Sequence, residues 1–227
     1  RARGLGDVYK RQSQETLATI DLCRQQGFTN INLDLIAGLS SQSEDDWEKN
    51  LEQVVSLSPE HLSLYLLEAD DNTRLGRQSL GQLGSQGCFE FPDEELVARF
   101  YEQSVDYLKS AGWGHYEISS FCKPGYHSRH NLKYWTDRPF IGFGCGAYSY
   151  CAGWRWGNER DPSCYVKLQD QQGDAVDFRV ELTPRQHLEE VIFLGLHLNT
   201  GLDLTQLHRT FGFDLNERFG VQISRLM

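Results

Sequence analysis

The sequence predicts an α/β fold in which helices alternate with parallel strands. Two amphipathic helix patterns, within residues 13–27 and 43–57, are each followed by a strand pattern, within residues 28–38 and 61–68. The connections between these segments are short. Because neighbouring parallel strands need a crossover, usually a helix, this order indicates a parallel sheet.

The first helix–strand pair shows a clear alternation of polar and apolar residues. Its helix has apolar residues at helical spacing and ends near Gly27, a residue type that commonly stops helices. In the adjoining strand, successive residues lie on opposite faces. One face carries Ile31, Leu33 and Leu35, and the other carries Asn32, Asp34 and Ile36.

Asp34 is the first candidate for a functional residue. The polar residues Asn32 and Asp34 lie in a strand that we expect to be covered on both faces, where a polar group without a partner is costly. In a barrel of parallel strands, inward-pointing residues near the carboxyl ends of the strands meet the ligand. Asp34 therefore either contacts a cofactor, with Gly38 allowing a close backbone approach, or only bonds Asn32 and neighbouring backbone.

The second helix–strand pair begins at Ser43, which can cap its helix. Asp46 occupies the reciprocal position of a capping box, and Pro59 ends the helix. The apolar stripe of this helix comprises Trp47, Leu51, Val54 and Val55. The stretch HLSLYLLE is predicted to be the second strand.

The middle of the chain carries a connector, a further helix and a short strand. Residues 71–91 are polar and glycine-rich, and we expect them to form a loop or lid. The helix is predicted to start near Asp93 and to stop at Gly112. The stretch GHYEIS, next along the chain, is predicted to be a short strand.

The segment HNLKYW, residues 130–135, combines a histidine with two large aromatic residues. A stretch in which glycines alternate with aromatic residues comes after it at residues 140–158, without the glycine spacing of a dinucleotide-binding loop. The two segments are either a hydrophobic anchor and a tightly turned strand pair, or a site that binds a flat apolar ligand.

Residues 181–227 are predicted to form a small helical domain, helix–turn–helix or winged-helix-like in outline. Thr183 is the expected helix cap and Pro184 the first helical residue. With a net charge of −10 and no run of Lys or Arg in the chain, we interpret this domain as a structural appendage and not as a DNA-binding module.

Composition narrows the class of protein further. No apolar stretch approaches the roughly 20 residues that span a bilayer, and the first residues lack the layout of a signal peptide. We expect a cytoplasmic protein. None of the six cysteines forms a C-x-x-C pair. Cys122, His127, His130 and Cys145 could share a metal ion, but four ligands at irregular spacing occur easily by chance.

The order of motifs resembles one family. The stretches that carry the resemblance are NINLDLIAGLSSQS, SPEHLSLYLLE, GHYEISSFCKPGYHSRHNLKYW, FIGFGCGAYS and RWGNERDPSCY. They are similar to the oxygen-independent coproporphyrinogen oxidase-like branch of the radical S-adenosylmethionine proteins. HNLKYW and the stretch YEIS, residues 116–119, resemble the HemW-type heme chaperones more than the true coproporphyrinogen dehydrogenases.

The resemblance implies an α/β fold of three parts. Residues 13–70 would form the carboxyl-terminal half of a partial parallel (β/α) radical-SAM barrel. Residues 71–180 would form an extension that carries HNLKYW and the glycine–aromatic stretch. Residues 181–227 would form the small helical domain.

The resemblance also implies ligands for individual residues. Asp34 would contact the ribose of S-adenosylmethionine, with Ile36 near the adenine. His130 would hold the heme iron, with Tyr134 and Trp135 as an aromatic wall for the porphyrin. His127 is the nearest candidate for a second iron ligand.

The implied function is that of a heme chaperone, which binds heme and transfers it to acceptor proteins. The implied cofactors are S-adenosylmethionine, a [4Fe–4S] cluster and heme. The alternative is an oxygen-independent coproporphyrinogen III oxidase, which decarboxylates its substrate oxidatively to protoporphyrinogen IX. A third interpretation is an inactive remnant that serves as an interaction scaffold.

Three features depart from the family. The CxxxCxxC motif that binds the cluster is absent, and Ser40 stands where the family has the proline of a Gly-Leu-Pro turn. Residues 1–12, RARGLGDVYKRQ, differ in character from the rest of the chain, and we interpret them as a non-native scar. We therefore expect a truncated protein, with the cluster motif in a missing amino-terminal part and the helical domain cut at Met227.

Overall fold

The computed structural model describes residues 5–67 and 92–226, with side chains described from Gln14 to Arg225 within these ranges. The chain forms two compact units, one ending at His127 and the other beginning at Ser128. The predicted loop or lid at 71–91 lies outside the described residues. No helix in the described ranges is long and apolar enough to cross a membrane.

The first unit contains the predicted helix–strand repeats. Its elements are α1 (Leu5–Gln25), β1 (Asn32–Ala37), α2 (Glu44–Leu57), β2 (His61–Leu66), α3 (Glu94–Ser110), β3 (Gly114–Glu117) and β4 (Ser120–Cys122). Their strands form one sheet in the order β1-β2-β4-β3. The helix α1 thus includes the backbone of residues 5–12, ahead of Ser13, where the native chain is predicted to begin.

Strands β1 and β2 are parallel, which confirms the prediction for these two strands. Strand β4, which was not predicted, is antiparallel to both β2 and β3. Only residues 118–119 separate β3 from β4, so this connection is a hairpin and cannot be a crossover. The sheet is therefore mixed.

The predicted starts of α2 and α3 are confirmed. Ser43 and Asp46 form a capping box, in which each backbone N–H donates to the other residue's side chain at 3.2 Å. The carboxylate of Asp93 accepts from the backbone N–H of Leu96 at 2.7 Å. Such caps satisfy N–H groups that have no partner within the helix.

The core of the first unit lies between its sheet and helices α2 and α3. Trp47 is buried, and its indole N–H lies 3.0 Å from both the carbonyl of Phe100 and the hydroxyl of Ser104. Leu33 and Leu35 pack against this core. The alternation of β1 therefore turns Asn32, Asp34 and Ile36 to the exposed face.

The second unit combines a small antiparallel sheet with short helices. Its elements are α4 (Asn131–Trp135), β5 (Tyr148–Cys151), β6 (Trp154–Asn158), α5 (Pro162–Gln172), β7 (Val176–Glu181), α6 (Pro184–Gly195), α7 (Leu204–Phe211) and α8 (Leu215–Leu226). The sheet order is β5-β6-β7. Thr183 caps α6, with Pro184 at its start, as predicted, and Gln186 completes a capping box.

The glycine–aromatic stretch contains a hairpin. Strands β5 and β6 are antiparallel and are joined by Ala152 and Gly153. Both residues have positive φ, as in the turns that two-residue hairpins favour. A Cβ at Gly142 would overlap the carbonyl oxygen of Tyr148. The close approach at this glycine is therefore between two backbone segments of the protein itself.

Candidate functional site

The first candidate site is the face of β1 that carries Asn32, Asp34 and Ile36, together with the paired residues of β2. The parallel register pairs Asn32 with His61, Asp34 with Ser63, and Ile36 with Tyr65. Ile36 and Tyr65 are about half exposed, at 45% and 48%. The carboxyl ends of two parallel strands therefore offer a carboxylate beside apolar side chains.

A continuous hydrogen-bonded network occupies this face. The side-chain amide of Asn32 donates to Asp34 Oδ1 at 2.7 Å. Asn32 Oδ1 lies 2.6 Å from His61 Nδ1, and His61 Nε2 lies 2.8 Å from the hydroxyl of Tyr116. The hydroxyl of Ser63 also donates to Asn32 Oδ1, at 3.3 Å. Within the part of the chain that the structure describes, Asp34 Oδ2 has no hydrogen bond.

The network answers part of the question that the sequence left open about Asp34. Asp34 does bond Asn32, yet its side chain remains exposed and keeps one oxygen for a ligand. Gly38 has φ of +89°, and a Cβ there would lie 3.3 Å from the Val97 side chain. Gly38 therefore also allows close packing against Val97.

His61, which is 4% exposed, was not predicted from the sequence to belong to a site. Burial of the ring holds the pKa of His61 below its ordinary value, and the nearby Glu117 acts in the opposite direction. The signal was available in HLSLY, because the alternation of a strand places residues 61, 63 and 65 on one face.

The second candidate site is the segment HNLKYW in the second unit. His130 is exposed and precedes the short helix α4, and its Nε2 lies 3.0 Å from the hydroxyl of Tyr134. The Tyr134 ring meets the edge of Phe140 with centroids 4.6 Å apart. His130 and Tyr134, one helical turn apart, are therefore brought together as the sequence interpretation requires.

Trp135 is less available than expected. Its ring stacks on His197 with centroids 4.3 Å apart, so one aromatic face is covered. Its indole nitrogen is buried, with no hydrogen-bond partner among the described residues. One face of Trp135, a residue of the expected porphyrin wall, is therefore unavailable to a ligand.

A cavity of about 360 Å³ opens beside this segment. Its lining comprises Lys133, Tyr134, Trp135, Asp137, Arg138, Phe140, Tyr148, Tyr150, Arg155 and Leu194. Arg155 is paired with Glu190 at 2.8 Å. Lys133 and Arg138 form no ion pair with any described residue, so the cavity combines aromatic walls with two uncompensated cations.

The described residues contain no group of three or more His, Cys, Asp and Glu side chains that could hold a metal ion. The conceivable set of Cys122, His127, His130 and Cys145 is therefore not assembled. Cys122 is buried at 2% exposure, and burial raises the pKa of its thiol. Within residues 5–67 and 92–226, the residues do not fit an iron–sulfur cluster, and no chemical step is assigned to one.

Comparison with known proteins identifies the proteins that this chain resembles. The family model of the HemN C-terminal domain matches residues 182–227. The heme chaperone HemW of Bacillus subtilis is 32% identical over 215 residues, which are 95% of this chain and 55% of the relative. The HemW of Lactococcus lactis is 31% identical over 92% of this chain and 53% of the relative.

Residues 182–227 therefore belong to the family of the HemN C-terminal domain, and over more than nine-tenths of its length the chain is similar to proteins named as the heme chaperone HemW. A solved structure of the coproporphyrinogen III oxidase of Escherichia coli, a radical SAM enzyme, shares its fold. The TM-score is 0.72 and the identity 20%, over 89% of this chain and 48% of that chain. The chain spans about half the length of the curated relatives it matches.

Proposed function

We propose that this protein acts as a heme chaperone, which binds heme at the HNLKYW segment and passes it to acceptor proteins. The observation that carries the proposal is the exposed His130 at the start of α4, hydrogen-bonded to Tyr134 beside the aromatic cavity. The HemW proteins of Bacillus subtilis and Lactococcus lactis match over more than nine-tenths of this chain. The protein would work in the cytoplasm.

His130 would supply the axial nitrogen for the heme iron. A neutral imidazole is a common iron ligand, and it has two nitrogens to offer. Tyr134 occupies Nε2, whereas Nδ1 has no hydrogen bond to any described residue. Iron therefore either binds at Nδ1 and leaves the Tyr134 contact intact, or binds at Nε2 and displaces the Tyr134 hydroxyl.

The cavity would hold one edge of the porphyrin. At about 360 Å³ it is at the lower end of the volumes of ligand pockets, so it would accept part of a heme and leave the rest exposed. Lys133 and Arg138 would pair with the propionate carboxylates, and Tyr134 and Phe140 would contact the ring. Partial exposure suits a protein that must release its cargo.

S-adenosylmethionine is proposed to bind on the exposed face of β1. Asp34 would accept from the ribose hydroxyls and Ile36 would contact the adenine. When bound, the cofactor together with a cluster would support assembly of the heme complex. The ligands of that cluster are not among the described residues.

Oxidative decarboxylation of coproporphyrinogen III is the second candidate function. The observation in its favour is the fold shared with the Escherichia coli oxidase. That reaction depends on the cluster, whereas heme binding at His130 does not. The oxidase therefore requires a cluster for which the described residues supply no ligands, whereas heme binding by the chaperone does not require one.

One paired assay separates the two functions. Ferric heme is titrated into the purified protein and followed by absorbance. Turnover of coproporphyrinogen III is assayed anaerobically with S-adenosylmethionine in a form of the protein that binds the [4Fe–4S] cluster, because the reaction depends on that cluster. A saturable one-to-one heme complex without decarboxylation supports the chaperone. Decarboxylation without a heme complex would replace the chaperone with the oxidase.

A further inference from the structure

The network on the exposed face of β1 has a defined direction. A carboxylate only accepts hydrogen bonds, so the Asn32 amide that bonds Asp34 must present its nitrogen to it. Asn32 Oδ1 then faces His61, and His61 Nδ1 must carry the proton. In a neutral imidazole Nε2 is consequently an acceptor, and Tyr116 donates to it.

We infer that His61 and Tyr116 are positioning residues, which act through Asn32 to fix the carboxylate of Asp34 for the ribose of S-adenosylmethionine. The inference rests on the proposed binding of that cofactor at Asp34. It assigns a role to two of the stretches that carry the family resemblance, HLSLY and YEIS. Neither residue would touch the ligand itself.

His61 is needed to hold the side-chain amide of Asn32 in this orientation. Rotating the amide by half a turn would set its oxygen against the Asp34 carboxylate and replace a hydrogen bond with repulsion. His61 and Ser63 both donate to Asn32 Oδ1 and oppose that rotation. Because His61 is 4% exposed, water cannot readily replace its N–H.

The state of His61 is in turn fixed by its surroundings. Tyr116, at 9% exposure, donates to Nε2 and so favours a proton on Nδ1. Asp34 lies at the opposite, exposed end of the network with Oδ2 open to a ligand. A rigid, buried support beneath an exposed contact residue is the arrangement expected of a preorganised binding site.

A purely structural role for His61 predicts different behaviour. In that case His61 would join β2 to β3, and its loss would lower stability without reference to Asp34. The positioning role instead requires that the effect of His61 on ligand binding disappear when Asp34 is absent. A double-mutant cycle tests this requirement.

The probe is S-adenosylhomocysteine, whose binding to the whole chain is followed by NMR titration. His61→Leu removes the donor to Asn32 and is expected to weaken binding about fivefold, the effect of one hydrogen bond. His61→Asn, whose amide nitrogen can take the place of Nδ1, is expected to stay within about twofold of the unmodified protein. Asn32→Ala cuts the network at an exposed residue, so it tests the inference even if His61→Leu does not fold.

The cycle distinguishes the inference from the function on which it rests. If Asp34→Ala leaves binding unchanged, the proposed cofactor contact is wrong. If Asp34→Ala weakens binding but His61→Leu and Asn32→Ala do not, or if the two losses simply add, the positioning role is overturned. If His61→Leu causes no further weakening of binding in the Asp34→Ala background, the positioning role is supported.

A second readout needs no ligand. Long-range proton–nitrogen NMR spectra of the histidine-labelled protein report which ring nitrogen carries the proton. The inference requires a proton on Nδ1 of His61 at neutral pH. A proton on Nε2 would reverse the direction of the network and contradict the inference, whatever the binding assay shows.

Discussion

Trp135 and His197 stack face to face, with ring centroids 4.3 Å apart and planes 8° from parallel. The contact joins the HNLKYW segment to the end of α6, the first helix of the carboxyl-terminal domain. It covers one face of the tryptophan that the sequence assigns to the porphyrin wall. The HNLKYW segment is therefore packed against the helical domain and is not an independent loop.

Replacing His197 tests the stability that this stack contributes. His197→Ala is expected to lower the free energy of unfolding by about 1 kcal/mol, the typical value of a stacked aromatic pair. Denaturant unfolding followed by tryptophan fluorescence measures the change. His208→Ala, at an exposed histidine in α7, is the matched control and should change stability by less than about 0.5 kcal/mol. Equal losses in both variants would show that the stack contributes nothing.

The two uncompensated cations of the cavity predict a preference for free carboxylates. Replacing both Lys133 and Arg138 with Gln is expected to weaken heme binding about tenfold, because each cation would pair with one propionate. Binding of heme dimethyl ester, which has no free carboxylate, should be unaffected by the same change. Absorbance titrations with the two ligands make the comparison. Equal weakening for both ligands would remove the cations from the site.

His61 predicts a change of stability with pH. Because its folded-state pKa is lowered, the unfolded chain binds more protons near that pKa, and stability rises with pH. The stabilisation is complete above the unfolded pKa of about 6.5 and is lost as the pH falls through the lower folded-state pKa. Urea unfolding at neutral and mildly acidic pH should show this loss. His61→Asn, which does not titrate, should show a smaller one, and an unchanged pH dependence would contradict the assignment.

Replacement by alanine is expected to have opposite effects on stability at Gly142 and at Gly220. Gly142→Ala would force a Cβ against the Tyr148 carbonyl, so it should destabilise the protein by more than about 1 kcal/mol. Gly220 lies in the helix α8 with open space around it, so Gly220→Ala should stabilise the protein by up to about 1 kcal/mol. Thermal unfolding of both variants decides the matter. A neutral Gly142→Ala would mean that the backbone approach is not tight.

Features set by neighbours in the sequence were predictable. The capping boxes of Ser43 and Thr183 arise from residues three positions apart, and the two faces of β1 arise from simple alternation. Each depends on local backbone geometry and needs no knowledge of the fold.

Features that join distant segments were not predictable in this way. The bond between His61 and Tyr116 spans 55 residues and depends on the unpredicted strand β4, which lies between β2 and β3. The stack of Trp135 on His197 depends likewise on where α6 ends. Sequence patterns single out His130 as a candidate, but only the fold shows that the Tyr134 hydroxyl lies within hydrogen-bond distance of its Nε2.

Heme binding at His130 is tested by titrating ferric heme into the protein and its His130→Ala variant, with His208→Ala as control. We predict a saturable complex with the absorption spectrum of histidine-ligated heme in the unmodified protein and in His208→Ala. In His130→Ala we predict at least about tenfold weaker binding and loss of that spectrum, because the iron loses its axial nitrogen. An unchanged affinity and spectrum in His130→Ala would contradict the assignment of the HNLKYW segment as the heme site.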